Sequence, residues 1–356
     1  MIGQSVAQSI TYVFLIVKRG NVEMANDNNL TITDIAEALN ISKTTVSRAI
    51  SGKGRIGSET RKKVLDYIEE NNYVPNPMAK GLAQSRTYNI CWIVPANSAA
   101  EELPFFQRCM MGIVETASSF NYDILISLVY EDNIKQLERI ISNKKVDGAI
   151  LGRTLVDDPV AAFLKESKIP FVVIGSTDIR NVIQIDNDHI KACKELASIL
   201  VMKGVRKIAI IGGDSNYVVN RTRLDGFLQG LKEQGVKPDE KLIYLENDDP
   251  RNVERAVDDA LRNKAECIVC MDDGICVSTL TKLKRENIEV PNDIKVASLY
   301  NSAVLENNQP AITTLSYDPK ELGSVAGKTL FDMIEGKKVE ERILLGYEVL
   351  LKSSTQ

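Results

Sequence analysis

A small all-α head followed by a large α/β core of two parallel-sheet lobes is the fold class that this sequence predicts. Three observations predict it. Residues 30–74 read as three short helices separated by tight turns. From Asn89 onward, short apolar runs alternate with amphipathic stretches, the pattern of parallel strands wound on both faces by helices. The chain has 356 residues, too many for one ordinary domain, and its strand pattern suits two such lobes better than one.

Residues 1–29 form an extension that does not fit the patterning of the remaining chain. Its apolar run, Ile10–Val17, is eight residues long, far short of the ~20 that a membrane helix needs. No Lys or Arg precedes that run and no small-residue cleavage site comes after it, so a secretory leader is not expected and the cytoplasm is. Lys18-Arg19-Gly20 can be encoded by a purine-rich run like a bacterial ribosome-binding site, with Met24 at about the usual distance beyond it. We read Met24 as the start of the natural protein, which N-terminal sequencing would check.

The head follows from its caps. Thr31 is a good N-cap with Asp34 three residues on, a capping-box pattern, and Ile35, Ala36 and Leu39 follow at helical spacing. Asn40 marks the turn, because Asn tolerates the left-handed conformation. Ser42 caps a second helix with Val46 and Ile50 on its apolar face, ended by Ser51-Gly52-Lys53-Gly54. Ser58 caps a third, with Val64, Leu65, Tyr67 and Ile68 packing it back and Asn71-Asn72 at its end. This is a helix-turn-helix unit. Tyr73-Val74-Pro75-Asn76-Pro77 is an extended breaker. Residues 75–87 are then a hinge and linker, in which Met78–Ala83 could form a short helix with Pro77 at its first position, marginal on its own.

The core, residues 88–352, reads as strands at 89–94, 122–128, 147–152, 170–175, 182–186, 207–212, 241–246, 266–271, 294–299 and 312–317. Helices fall between most of them, including 105–119, 187–203, 220–234, 274–287 and 319–335. In such folds ligands sit beyond the carboxyl ends of the strands, and two facing lobes make a cleft that can close.

Charge separates head from core. Residues 1–87 carry 11 Lys/Arg and 8 Asp/Glu, the remainder 33 and 40. Between residues 42 and 63, seven basic residues face only Glu59. A basic head on an acidic body suits nucleic acid. Six cysteines are too few for a disulfide scaffold. Cys267 and Cys270 sit in an apolar strand, where a spacing of three puts them on opposite faces, so one metal cannot take both. His189, the only histidine, reads as a surface or hinge residue, and metal binding is improbable without partners. Gly323-Ser324-Val325-Ala326-Gly327-Lys328-Thr329 is one residue short of a phosphate loop and lies inside the helix opened by Asp318-Pro319. No other catalytic signature occurs, and one histidine leaves little for acid–base chemistry. No enzyme activity and no cofactor are therefore expected. The remaining alternative to a DNA-binding regulator is a two-lobed binding protein acting alone, for transport or as an enzyme domain, which would not need residues 30–85.

Three segments carry a resemblance. Thr31-Ile32-Thr33-Asp34-Ile35-Ala36, Ile41-Ser42-Lys43-Thr44-Thr45-Val46-Ser47-Arg48 and Tyr73-Val74-Pro75-Asn76 closely resemble the lactose repressor (LacI/GalR) family of bacterial transcriptional regulators. Asn220-Arg221-Thr222-Arg223-Leu224-Asp225-Gly226-Phe227 looks like its effector-site signature. The resemblance spans about residues 30–352 and implies a core like periplasmic sugar-binding proteins. Three crossings between its lobes would fall near 186, 312 and 338, giving a first lobe of about 88–185 and 313–337 and a second of 186–312 and 338–352. It implies an allosteric repressor, a homodimer on double-stranded operator DNA in the nucleoid, controlled by a small-molecule effector and with no membrane partner. Lys43, Thr44 and Arg48 would read base edges; Thr33, Ser42, Thr45 and Ser47 would touch phosphates. Leu82 would wedge into the minor groove, with Gly81 weakening the helix that carries it.

In the core the resemblance implies Arg223 as the multi-donor ligand of sugar hydroxyls or a carboxylate. Asp272 and Asp273 lie at a strand's carboxyl end, where they can accept hydroxyls or cap the following helix. Phe105 and Phe106 would stack on a ring or join the core, and Arg153 also sits at a carboxyl end. Tyr300 replaces the acidic residue of many members, which removes a charged acceptor and points from a simple sugar towards a derivative. Leu350–Gln356 has no leucine heptads, so a coiled-coil tetramer is not expected.

Overall fold

The computed structural model describes residues 30–52, 54–71, 73, 81, 85–96, 103–130, 133–247 and 249–356. The chain divides into two compact units, Met1–Gln84 and Ser85–Gln356. The 74–80 stretch and residues 82–84, with Leu82 and most of the expected hinge helix, lie outside the described residues.

In the first unit, α1 (Ile32–Ala38), α2 (Lys43–Ser51) and α3 (Ser58–Glu70) pack around Ile35, Ala36, Val46, Ala49 and Val64. The capping box forms as its spacing predicts. The Asp34 N–H donates to Thr31 Oγ1 at 3.3 Å, and the Thr31 N–H donates to Asp34 Oδ2 at 2.7 Å. Asn40 takes φ 50°, which makes the tight turn, and Gly52 ends α2 at φ 70°. Two details differ from the sequence reading. Gly57, not Ser58, is the N-cap of α3, with no side-chain cap. Leu65 is 44% exposed, because Val64 and Ile68 already fill the inward stripe of a helix this short.

The second unit has two six-stranded sheets. The first joins β1 (Asn89–Pro95), β2 (Asp123–Val129), β3 (Gly148–Leu151), β4 (Phe171–Ile174), β5 (Ile183–Asn187) and β11 (Arg342–Leu345) in the order β11-β5-β4-β3-β1-β2. All its pairings are parallel. The second joins β6 (Ile208–Ile211), β7 (Ile243–Tyr244), β8 (Cys267–Cys270), β9 (Lys295–Ser298), β10 (Thr313–Ser316) and β12 (Glu348–Leu350) in the order β12-β10-β9-β8-β6-β7. Only β12 runs antiparallel.

Helices cover both faces of each sheet, which is why the strands are apolar throughout. On the first, Ile90 and Trp92 face α4 (Leu103–Ser119) and α12 (Pro319–Ile334). Cys91 and Ile93 face α5 (Lys135–Ser142) and α6 (Pro159–Ser167). On the second, Cys267 joins the layer of α7 (His189–Met202) and α8 (Val218–Glu233), while Cys270 joins that of α9 (Pro250–Arg262) and α10 (Asp273–Arg285). The two thiols therefore lie on opposite faces, as the spacing predicts.

The chain crosses between lobes after β5, at Tyr317–Asp318 after β10, and between β11 and β12. The last two crossings lie beyond the positions expected near 312 and 338. β10 pairs with β9 and β12, so it belongs to the second lobe, and β11 returns to the first. A buried parallel strand reads alike in either sheet, so local pattern cannot place a crossing.

The Gly323–Thr329 run lies within α12, which crosses α4 with backbone against backbone. A Cβ on Gly323 would sit 2.0 Å from the Cys109 carbonyl oxygen, and one on Gly112 would sit 2.0 Å from that of Lys320. Thermal denaturation of Gly323→Ala should show a loss of about 3 kcal/mol, the upper range for overpacking. Gly346→Ala, whose Cβ meets nothing within 4 Å, should leave the core's melting temperature nearly unchanged.

Candidate functional site

Two places in the chain concentrate polar chemistry. The first is α2. Val46 and Ala49 turn inward, which leaves Lys43, Thr44, Ser47 and Arg48 exposed on the other side, with Ser42 just before them. Pairs four apart (Lys43 with Ser47, Thr44 with Arg48) share a strip of surface. Ser42 Oγ accepts the Thr45 N–H at 3.1 Å and lies 2.8 Å from Thr45 Oγ1, so these two are partly spent on capping. Thr33 is half-buried in the first turn of α1. The helix carries no acidic residue, which leaves its dipole-positive start and two cations open to an anion.

The second is a cavity of about 140 Å³ in the core. That is an order of magnitude more than a single water needs, about 10–15 Å³. Its walls are the carboxyl ends of strands from both sheets. Arg153 and Thr154 follow β3; Asp186 and Asn187 end β5; Asp272 and Asp273 follow β8; Tyr300 follows β9; Tyr317 follows β10. Phe105 from α4, and Tyr217 and Arg223 from around the start of α8, complete them.

The loops on either side of the cavity are tied together. Leu155 and Tyr217 form an isolated antiparallel bridge. The Val156 N–H donates to the Asn216 carbonyl at 2.8 Å, and the Val218 N–H to the Thr154 carbonyl at 3.3 Å. Arg153 adds a stacked layer, its guanidinium 4.5 Å from the Tyr217 ring centroid and 5.0 Å from that of Phe106.

Buried electrostatics shape the interior. Arg223 is buried; its Nη1 donates to the Met271 carbonyl at 2.9 Å, and its guanidinium lies 5.6 Å from the Tyr300 ring centroid. Its Nε has no partner within the protein. His189 is also buried, with Nε2 3.4 Å from Asp186 Oδ1. Burial raises the Asp186 carboxyl, but hydrogen bonds from His189, Ser176 and the Asn187 N–H outweigh it and hold it below the usual carboxylate range. Burial lowers the His189 pKa against the pull of Asp186. Burial raises the Asp273 carboxyl despite hydrogen bonding to Ser302. Burial, then the nearby Asp273 charge, pushes the Tyr300 hydroxyl up to about 12. The Tyr300 and Tyr317 rings stack 6.3 Å apart, and Phe105 meets Tyr300 edge-on at 6.4 Å.

The cavity thus brings together Phe105, Arg153, Arg223, Asp272, Asp273 and Tyr300. Within it Asp272 caps α10, accepting the Ile275 N–H at 2.8 Å. Phe106 is different: it packs into the first lobe's core, 4% exposed, because its helix turns alternate positions to the sheet. It reaches the site only through the Arg153 stack. The reading of His189 as a surface or hinge residue is corrected, since it is 4% exposed and lines the cavity. Asp186, Asn187, Tyr217 and Tyr317 also line it without having been singled out. Asp186 and Asn187 end a strand, and that position alone could have found them. Among the described residues no cluster of three or more His, Cys, Asp or Glu could hold a metal ion, and no helix is long and apolar enough to cross a membrane.

A surface strip suited to DNA and a two-lobed ligand cavity on one chain define a ligand-binding transcriptional regulator. Comparison with known proteins agrees. Residues 31–76 match the family described as bacterial regulatory proteins, lacI family, and residues 197–355 match the periplasmic binding protein-like domain. The chain belongs to the lacI family of DNA-binding transcriptional regulators. It is 28% identical to the HTH-type transcriptional regulator RegA of Clostridium saccharobutylicum over 331 residues, 91% of this chain and 98% of that one. It is 27% identical to catabolite control protein A of Streptococcus mutans, over 94% of this chain and all of that one. The structure of the transcriptional regulator CelR–cellobiose complex superposes with a TM-score of 0.69 at 25% identity, covering 91% of this chain and 99% of that one. The Lac repressor dimer bound to operator matches at 0.74 and 21% identity, covering 92% and 99%, a likeness of fold.

His189 makes the core's stability depend on pH. Its folded pKa lies below the ordinary 6.5, so below about 6.5 the unfolded chain takes up a proton that the folded core resists. The contribution is complete above that pH and is lost as pH falls, by up to about 1.4 kcal/mol per unit until the folded value is reached. Melting temperatures between pH 7.5 and 5.5 should fall more steeply for the wild type than for His189→Gln.

Proposed function

We propose that this regulator is a cytoplasmic, nucleoid-associated repressor. It binds a near-palindromic operator as a homodimer and is switched by a sugar or sugar derivative held in the core cavity. The observation that carries this reading is the cavity, which is walled by strand ends of both lobes and mixes aromatic faces with buried, directed polar groups. Such a wall suits a ring bearing hydroxyls: aromatic faces take the ring, and Arg223 and Asp273 take its polar edge. Cellobiose in the CelR complex supports the same class.

On DNA, Lys43, Thr44 and Arg48 read base edges, while Thr33, Ser42, Thr45 and Ser47 set register on phosphates. Leu82 is the minor-groove wedge of this reading. A reader this small needs a symmetric partner to reach useful specificity. Effector changes operator affinity only by the difference in its own affinity for the two arrangements of the core.

Selection from random duplexes at fixed salt should enrich a near-palindromic consensus; no enrichment, with and without sugars, would overturn the reading. Arg48→Ala should weaken binding to the selected site by about 1–3 kcal/mol and relax one position in each half-site. Arg223→Met should leave operator binding intact and abolish its response to effector.

A further inference from the structure

His189 is the only histidine in the chain, and its two ring nitrogens have different surroundings. Nε2 lies 3.4 Å from Asp186 Oδ1. Asp186 is itself fixed: Oδ2 accepts Ser176 Oγ–H at 2.9 Å, and Oδ1 accepts the Asn187 N–H at 2.8 Å. Nδ1 is buried with no hydrogen-bond partner in the protein, on a residue that lines the cavity. A histidine kept for packing alone would leave that nitrogen paired, because an unpaired buried polar atom costs about 1–3 kcal/mol.

We propose that His189 determines effector specificity. Held by Asp186 as the neutral Nε2–H tautomer, it accepts at Nδ1 a hydrogen bond from an effector hydroxyl, and it loses that contact when the ring is protonated. The inference rests on the reading that the cavity holds the effector. A neutral ring has one donor and one acceptor, and the nitrogen bound to a carboxylate is the donor. Protonation turns Nδ1 into a second donor and reverses what it can recognise. Four groups face the ring. Asp186 and Asp188, at the end of β5 and just beyond it, favour the imidazolium. Arg223 from α8 opposes it. The Tyr317 ring packs edge-on at 4.7 Å and stays neutral. Asp188 also caps α7, accepting the Lys191 N–H at 3.1 Å. Burial adds to the opposition, so the acceptor state holds at neutral pH.

A single histidine makes the test direct. Imidazole ¹⁵N NMR of the full chain with labelled histidine should show one neutral ring at pH 7, protonated at Nε2 and bare at Nδ1. Cellobiose, titrated to its solubility limit and followed in parallel by calorimetry, should move the Nδ1 resonance. Its affinity should then fall about tenfold per pH unit once the ring titrates. His189→Gln, which keeps an acceptor that does not titrate, should bind within a few-fold of wild type without that pH dependence. An Nδ1–H tautomer, or an imidazolium at pH 7, overturns the proposal whatever cellobiose does. Heat of binding with an unmoved Nδ1 overturns it while the effector reading stands. With neither heat nor shift, this disaccharide is refused by the cavity, while an Nε2–H ring still supports the acceptor assignment.

Discussion

Parallel pairing governs the core. A parallel strand must return through a crossover, so each strand starts on one edge of its sheet and ends on the other. Both sheets obey this except at β12. The residues just beyond β3, β8, β9 and β10, and those that end β5, therefore all arrive at one place, and that place is the cavity. The same pairing buries the strands on both faces and spends their side chains on packing. Only positions at the strand ends remain for chemistry. Arg153, Asp186, Asp273, Tyr300 and Tyr317 occupy such positions.

What those residues do is set by burial rather than by net charge. Asp186 and Asp273 are both carboxylates deep in one cavity, yet their pKa values move in opposite directions. Asp186 collects three hydrogen bonds that favour its anion, and Asp273 meets burial with too little compensation. Arg223 links the two regions, since its charge is felt by His189 on one side and by Tyr300 and Asp273 on the other. A ligand entering here would meet a network whose members already bias one another.

Much of this was legible in the chain. The caps of α1 and α2, the Asn40 turn and ten of the twelve strands follow from local rules of spacing and propensity. β11 and β12 were missed because each is short and half exposed, so neither shows a buried run or a clean alternation. His189 was misplaced for a related reason: its burial comes from the Tyr317 ring and from α8, far away in sequence. Phe105 and Phe106 show the limit most plainly. Adjacent and identical in sequence, one lines the cavity and the other fills the core, and only the angle at which α4 lies on the sheet decides which.

The short bridge at Leu155 and Tyr217 bears on responsiveness. It fastens the two lobes through main-chain hydrogen bonds at 2.8 and 3.3 Å, each worth only about 0.5–1.5 kcal/mol once water's competing bonds are counted. Opening the clasp is thus an inexpensive event, comparable to a few multiples of thermal energy. Main-chain bonds also tolerate substitution of the side chains around them. The stiffness of the clasp can stay constant while Arg153 and its neighbours drift, so this architecture can change what it recognises without losing the gesture by which it reports recognition.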